Sequence, residues 1–334
     1  MEAFTIDKYG KESELKRTTL PKPEINGKQL LVEIHAAGVN VLDAKLKHGE
    51  FKAIIPYDMP LILGNDLAGV VEEVGAEVTD FQVGDEVYAR PDQAHIGTFT
   101  EYISINAKDV ALKPSKLTME EAASVPLVAL TAWQALVEKG QLQPGQKVFI
   151  QAGSGGVGTV AIQLAKHLGA EVATTTSARN EELVRRLGAD IVIDYKTQDF
   201  ESELHDYDLV LHSQDTKTLE KSLRILKPGG KLISISGPPD PEFAKAAGLS
   251  LPLRLAIKGL SLKVRHQAKK QGVDYSFLLM RAEGSQLQEV TKLIDAGVIT
   301  PVIDTVYPFA ETPQALEHVE SGRSTGKVVV SIKS

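Results

Sequence analysis

Cysteine is absent from this chain, and its absence removes whole classes of chemistry. No disulfide can staple the fold, no thiolate can act as a nucleophile, and no cysteine-ligated zinc site can form. Also missing is any uninterrupted apolar run near the roughly 20 residues of a membrane span. No basic segment followed by an apolar core opens the chain, so a secretory signal is not expected and the cytoplasm is the expected location. Positive charge is in deficit: the formal net charge is −7, which argues against nucleic acid as the main partner. What remains is an ordinary soluble composition, 43% hydrophobic and 24% charged. Its 334 residues are long for one domain and comfortable for two.

The richest local pattern runs from Lys147 to Ser177. An apolar run to Ala152 ends in Gly153-Ser154-Gly155-Gly156-Val157-Gly158, a helical pattern follows to Leu168, and a β-rich run spans Ala170 to Thr176. Strand, glycine turn, helix, strand is the layout that a dinucleotide pyrophosphate needs. Gly153 is expected to allow the tight turn, Gly155 to let the backbone approach the phosphates, and Gly158 to let the helix pack on the sheet. The helix N-terminus then offers unpaired N–H groups to the anion. An NAD site usually has an acid about 20 residues after the first glycine. Here Thr174-Thr-Thr-Ser177-Ala-Arg179 stands instead, and the first acids are Glu181 and Glu182. Ser177 and Arg179 suit a 2′-phosphate, which an acid would repel, so NADPH is the expected cofactor. A plainer reading stays open, in which Ser177 or Asn180 caps a helix at 181–187 and Arg179 is merely solvated.

Elsewhere the first third reads as short strands punctuated by glycine: Lys28–Ala36, Leu67–Val74, Asp85–Ala89 and Gly97–Ile105. Thr118 and Glu121 form a capping-box pattern, and helix-forming residues continue from Ala122 to Glu138, interrupted at Pro126. After the glycine turn, strands are expected at Asp190–Asp194, Tyr207–His212, Lys231–Ser236 and Val273–Met280, with helices at Thr216–Leu226 and Ser285–Ala296. Alternating β and α elements imply a parallel sheet with helices on both faces. The tail, Thr300–Phe309 and Gly326–Ile332, is strand-like again and is expected to return to the first domain.

Together these segments resemble the medium-chain dehydrogenase/reductase superfamily, and within it the zinc-free quinone oxidoreductase branch, the ζ-crystallin-like and enone reductases. The carrying residues are Ala37-Gly-Val-Asn40-Val-Leu-Asp43, Gly64-Asn-Asp-Leu-Ala-Gly-Val-Val-Glu-Glu-Val-Gly75, Val83-Gly-Asp-Glu-Val87, Gly97-Thr-Phe-Thr-Glu-Tyr102, Leu130-Thr-Ala-Trp133 and the glycine turn. The resemblance implies an α/β chain: a GroES-like β-barrel catalytic domain over 1–124, completed by 298–334, and a Rossmann doubly wound parallel sheet over 125–297 that binds NADPH. It implies an active site in the cleft between them. Zinc alcohol dehydrogenases place a ligand Cys where Asn40 stands and a His-Glu pair where Asn65-Asp66 stands. Neither substitution suits zinc, and no metal is expected.

Oxidising a simple alcohol requires stabilising an alkoxide, a task for a Lewis acid. A quinone or α,β-unsaturated carbonyl is an easier hydride acceptor, because its charge moves onto an oxygen that can be hydrogen-bonded. The expected activity is therefore NADPH-dependent, metal-free reduction of such acceptors. A carbonyl or enoyl-chain reductase, or a non-catalytic NADPH-binding protein, remains as an alternative. The resemblance implies that Asn40 faces the nicotinamide ribose and the substrate, although it also suits a cap on a short helix at Val41–His48. Tyr57 falls in a segment resembling the substrate mouth, and its hydroxyl can donate to a carbonyl. Thr131 is implied on the nicotinamide side, or it simply back-bonds within its helix. Tyr195, Ser213 and Gly237 resemble cofactor contacts, each following the C-terminal end of an expected parallel strand. Leu278 and Met280 are expected to pass the nicotinamide amide through their backbone, and Arg323 and Lys327 to lie within reach of the cleft.

From Phe243 to Val273 no acid occurs, while Lys245, Arg254, Lys258, Lys263, Arg265, Lys269 and Lys270 add seven positive charges among interleaved leucines. This stretch is a solvated helix face, or it attracts NADPH phosphates or an anionic membrane surface. A homodimer is expected, joined through the edge strand near Val273–Met280.

Overall fold

The structure is a computed structural model describing residues 1–333. The chain divides into two units, one comprising Met1–Leu130 and the chain from Arg281 onward, the other Thr131–Met280. The first unit opens with β1 (Glu2–Ile6), β2 (Lys16–Thr19), β3 (Gln29–Val39), β4 (Leu61–Ile62), β5 (Asp66–Val74), β6 (Glu86–Ala89), β7 (Tyr102–Asn106) and β8 (Val110–Leu112). β3 is its spine, pairing antiparallel with β5 from Leu30↔Val74 to Gly38↔Asp66 and with β7 from Gln29↔Asn106 to Glu33↔Tyr102. Leu30, Val32 and Ile34 on β3 point the same way, as a period of two requires, and pack with Leu67, Val71 and Val87.

The second unit holds β9 (Lys147–Ile150), β10 (Glu171–Thr176), β11 (Ile191–Asp194), β12 (Tyr207–His212), β13 (Leu226–Ser234) and β14 (Asp274–Phe277), in spatial order β11-β10-β9-β12-β13-β14. Every pairing is parallel. β9 reads as an unbroken apolar run because both faces are covered: Val148, Phe149 and Ile150 are fully buried. Phe149 stacks on Phe200 with ring centroids 4.9 Å apart, and Leu219, Leu223 and Leu232 share that core. Strand order reverses direction at β9 and β12, the position where open α/β sheets leave a crevice at their carboxyl ends.

The chain then returns to the first unit. β15 (Ile303–Pro308) pairs parallel with β16 (Lys327–Ser331), and β16 pairs antiparallel with β3 through Val328↔Val39. This extends the first unit's large sheet to the order β15-β16-β3-β5-β6-β8.

Several elements differ from the sequence expectation. The strand expected at Val273–Met280 is confined to four residues, and that expected at Gly97–Ile105 starts only at Tyr102. Between the two tail strands lies an unanticipated helix, Thr312–Glu320, whose Ala315, Leu316 and Val319 turn one face inward. The helix Gly284–Asp295, expected in the nucleotide-binding domain, packs in the first unit. Tyr88 Oη donates to the Leu287 carbonyl at 2.7 Å, and Asp295 accepts the Ser115 N–H at 3.0 Å. The division therefore falls after Leu130 and Met280, where the sequence reading had 124 and 297.

Candidate active site

In the second unit the chain leaves β9 through Gln151 and Ala152 and enters the helix Gly156–His167, with Gly155 as N-cap. The left-handed residue of this turn is Ala152, at φ 52°. Gly153 is needed for another reason than the turn itself: a Cβ there would stand 2.1 Å from Thr174 Oγ1 on the neighbouring strand. A Cβ on Gly158 would stand 2.3 Å from the Ala152 carbonyl oxygen and 2.6 Å from Gly153 Cα, so helix and loop meet backbone to backbone. Gly155 is different, since its nearest neighbour would be the Ala152 oxygen at 3.3 Å. The fold does not fill that space, which leaves a cradle before a helix N-terminus, the arrangement that suits a pyrophosphate.

Two expectations follow from these distances. Gly158→Ala should lower stability by about 1–3 kcal/mol, as overpacking does. Gly155→Ala should melt close to the parent protein and instead weaken dinucleotide binding. Thermal melts without cofactor, paired with dinucleotide titrations, separate the two; identical melting losses would refute the distinction.

Apart from Thr131, the remaining cofactor candidates of this unit follow the carboxyl ends of its strands. Ser154 Oγ accepts from Thr176 Oγ1 at 2.8 Å and from Asn180 Nδ2 at 3.1 Å. Sequence reasoning treated Asn180 only as a cap. It does sit at the N-cap of Glu181–Arg186, but its side chain makes no capping bond and reaches back to the glycine turn. Ser177, just past β10, is buried, and Arg179 is exposed. Tyr195, Ser213, Gly237 and Leu278 follow the ends of β11, β12, β13 and β14, with Met280 two residues on. The Ser213 N–H donates to Gln151 Oε1 at 3.2 Å, and the Leu278 N–H to the Ser234 carbonyl at 2.8 Å. Gly237 adopts φ 103°, a left-handed conformation that glycine takes without strain. Thr131 is buried on the helix Pro126–Trp133.

The first unit holds a buried polar cluster of its own. Asn40 ends β3's run and caps the helix Val41–His48, where Asp43 Oδ2 accepts its backbone N–H at 2.7 Å. Asp43 Oδ1 takes a second bond from Asn65 Nδ2 at 2.6 Å. Burial nonetheless pushes the Asp43 carboxyl up to about 6. Asp66 Oδ1 accepts the Leu127 N–H, and its Oδ2 accepts from Asn40 Nδ2 at 2.9 Å. Asn40 Nδ2 also donates to the Gly38 carbonyl at 3.3 Å, so its amide protons are engaged within the protein.

The centre of this cluster is Lys327, the first residue of β16. Its ammonium donates to Asn40 Oδ1 and, at 3.0 Å, to Asp66 Oδ2. Lys327 is 5% exposed and Asp66 fully buried, so each charge depends on the other. A cation thus lies between two of the positions that the resemblance sets against zinc ligands. Sequence reasoning placed Lys327 only loosely near the cleft. It missed Arg90, whose buried guanidinium donates to the Pro91 carbonyl while its Nε–H has no partner among the described residues. Tyr57 Oη donates to the Gln93 carbonyl, and burial pushes its phenol up to about 12. In this conformation that hydroxyl ties down a loop and is a poor acid. Among the described residues no group of three or more His, Cys, Asp or Glu is placed to hold a metal ion.

An alcohol dehydrogenase GroES-like domain model matches residues 26–115, and a zinc-binding dehydrogenase model matches residues 187–330. The chain is 37% identical to the mitochondrial NAD(P)H oxidoreductase RTN4IP1 of Danio rerio, covering 99% of this chain and 91% of that one. It is 32% identical to the chloroplastic NADPH-dependent alkenal/one oxidoreductase of Arabidopsis thaliana, covering 99% and 79%. The solved quinone oxidoreductase of Coxiella burnetii superposes with a TM-score of 0.86 at 30% identity, covering 100% of this chain and 99% of that one. The mitochondrial names of the vertebrate relatives overturn the cytoplasmic expectation. That expectation rested on a missing signal-like segment, which does not by itself place a protein. Among the described residues no helix is long and apolar enough to cross a membrane.

Proposed function

The chain belongs to the medium-chain dehydrogenase/reductase superfamily, in its zinc-free quinone oxidoreductase branch, and on that premise we propose that it reduces quinones or α,β-unsaturated carbonyls with NADPH and without a metal. Its relatives establish a nicotinamide-dependent oxidoreductase. The observation that carries the finer reading is the buried ammonium of Lys327 between Asn40 Oδ1 and Asp66 Oδ2.

The bound cofactor supplies the hydride, and the protein supplies orientation and polarisation. The open cradle at Gly155, with Ser154, Ser177 and Arg179, suits the pyrophosphate and 2′-phosphate. Lys327 uses two of its three N–H groups on Asn40 and Asp66, and the third serves the acceptor's carbonyl oxygen as negative charge grows there. Asn40 and Asp66 hold the ammonium in place. Asn40 is thereby a positioning residue, because its own donors are engaged. Tyr57 contributes little acid chemistry, and water delivers the final proton.

The test follows NADPH consumption with a quinone, an alkenal and no acceptor, and NADP⁺ reduction with a simple alcohol, each with and without a strong chelator. Turnover of the quinone or alkenal, unchanged by chelation, is expected. Ready oxidation of simple alcohols, or loss of activity on chelation restored by zinc, defeats the proposal.

We also propose a homodimer joined at β14. This strand ends the six-stranded sheet, and an uncovered edge needs a partner. Light scattering at micromolar concentration should give twice the chain mass; a monomer would refute it.

A further inference from the structure

Three helices, Pro241–Ala246, Leu251–Leu260 and Leu262–Gln271, separate β13 from β14. The last two lie within the stretch 243–273, which holds seven Lys or Arg and no acid, in a chain whose net charge is −7. Four of the stretch's six leucines are not spent on the core. Leu251, Leu255, Leu260 and Leu262 are 67%, 60%, 68% and 61% exposed, whereas Ile257, Val264 and Ala268 are buried. At roughly 100° per residue, Leu251 and Leu255 fall on the side of their helix opposite Ile257. Arg254 and Lys258, both exposed, border that side.

Single exposed leucines are ordinary, but several along one basic segment point to a contact surface. Its occupant must accept apolar side chains and positive charge together. Cofactor phosphates would satisfy the cations and leave the leucines in water. A second copy docked by two-fold symmetry would bring this basic face against itself, and like charges across an interface repel. An anionic bilayer meets both demands: leucines enter the boundary between headgroups and acyl chains while Lys and Arg meet lipid phosphates. We propose that the helices spanning residues 251–271 dock this protein on an anionic membrane surface.

The proposal is tested by flotation of the full chain with vesicles of phosphatidylcholine alone and of equal parts phosphatidylcholine and phosphatidylglycerol. No cofactor or acceptor is added, so the result stands apart from the reductase reading. Co-flotation with the anionic vesicles, weakened by salt, is expected. Leu251→Ser with Leu255→Ser should reduce partitioning about tenfold or more. Arg254→Gln with Lys258→Gln should reduce it roughly 25-fold. Thermal midpoints and turnover of a water-soluble quinone should be unchanged in both double variants. No binding to anionic vesicles, or binding that ignores the leucine changes, overturns the proposal. So does conversion of a dimer to a monomer by the leucine changes with vesicle binding intact, which would make the face a subunit contact.

Discussion

Lys327→Met lowers kcat by roughly 10²–10³-fold, the usual loss when one donor to a developing oxyanion is removed. It also leaves Asp66 as a buried, unpaired carboxylate, and breaking a buried pair costs about 3–5 kcal/mol. The two effects are separated by a second change. In Lys327→Met with Asp66→Asn no unpaired charge remains at the pair, and the amide oxygen can still accept the Leu127 N–H that Asp66 Oδ1 takes now. Much of the lost stability should return, while kcat stays low. Asn40→Ala should fall between, since it loosens the ammonium without removing it. Thermal melts and steady-state kinetics on the four proteins decide the matter. Recovery of activity together with stability in the double variant would reduce Lys327 to a structural role.

Arg179→Ala raises the KM for NADPH roughly ten- to a hundredfold and barely moves NADH. The basis is the segment after β10, where Ser177 and Arg179 stand in place of an acid. A charge-assisted hydrogen bond contributes about 1.5–3 kcal/mol. Arg179 is exposed, so solvent screening pulls the expectation toward the lower end. NADH lacks the 2′-phosphate and should not sense the change. Kinetics with both cofactors check this, and equal effects on the two would remove Arg179 from the phosphate site.

The glycine turn was legible in the sequence because every part of it lies within about thirty residues of a βαβ unit. Even there the reasons were only partly readable. The positive φ falls on Ala152, and Gly153 is required by Thr174, a residue on the neighbouring strand. The parallel sheet was legible from its apolar runs. The helix Thr312–Glu320 was not, although Ala315, Leu316 and Val319 have helical spacing, because strand-like segments flank it on both sides. Lys327 was hardest to place. Its partners Asp66 and Asn40 are 261 and 287 residues away in sequence, and a lysine opening a strand ordinarily reads as solvated. The available signal was context: Lys327 begins the run Val328-Val329-Val330, which is buried throughout, so the strand has little solvent-facing side for a charge. Arg90 carried a similar hint beside the buried Tyr88 and Ala89.

The return of β16 to β3 also sets an order on biosynthesis. Domains generally fold as units, N-terminal first, as the chain emerges. Here the second unit's sheet strands, β9 to β14, are all translated before β15 and β16, and that unit can assemble while the ribosome is still working. The first unit is begun earlier but finished later. Asp66 emerges long before the ammonium that neutralises it, and β3 waits for the strand that covers Val39 to Ala36. During that interval the nascent chain carries an unpaired carboxylate and an open sheet edge, a template for wrong pairing. Chaperone demand during synthesis should therefore centre on the segment made first.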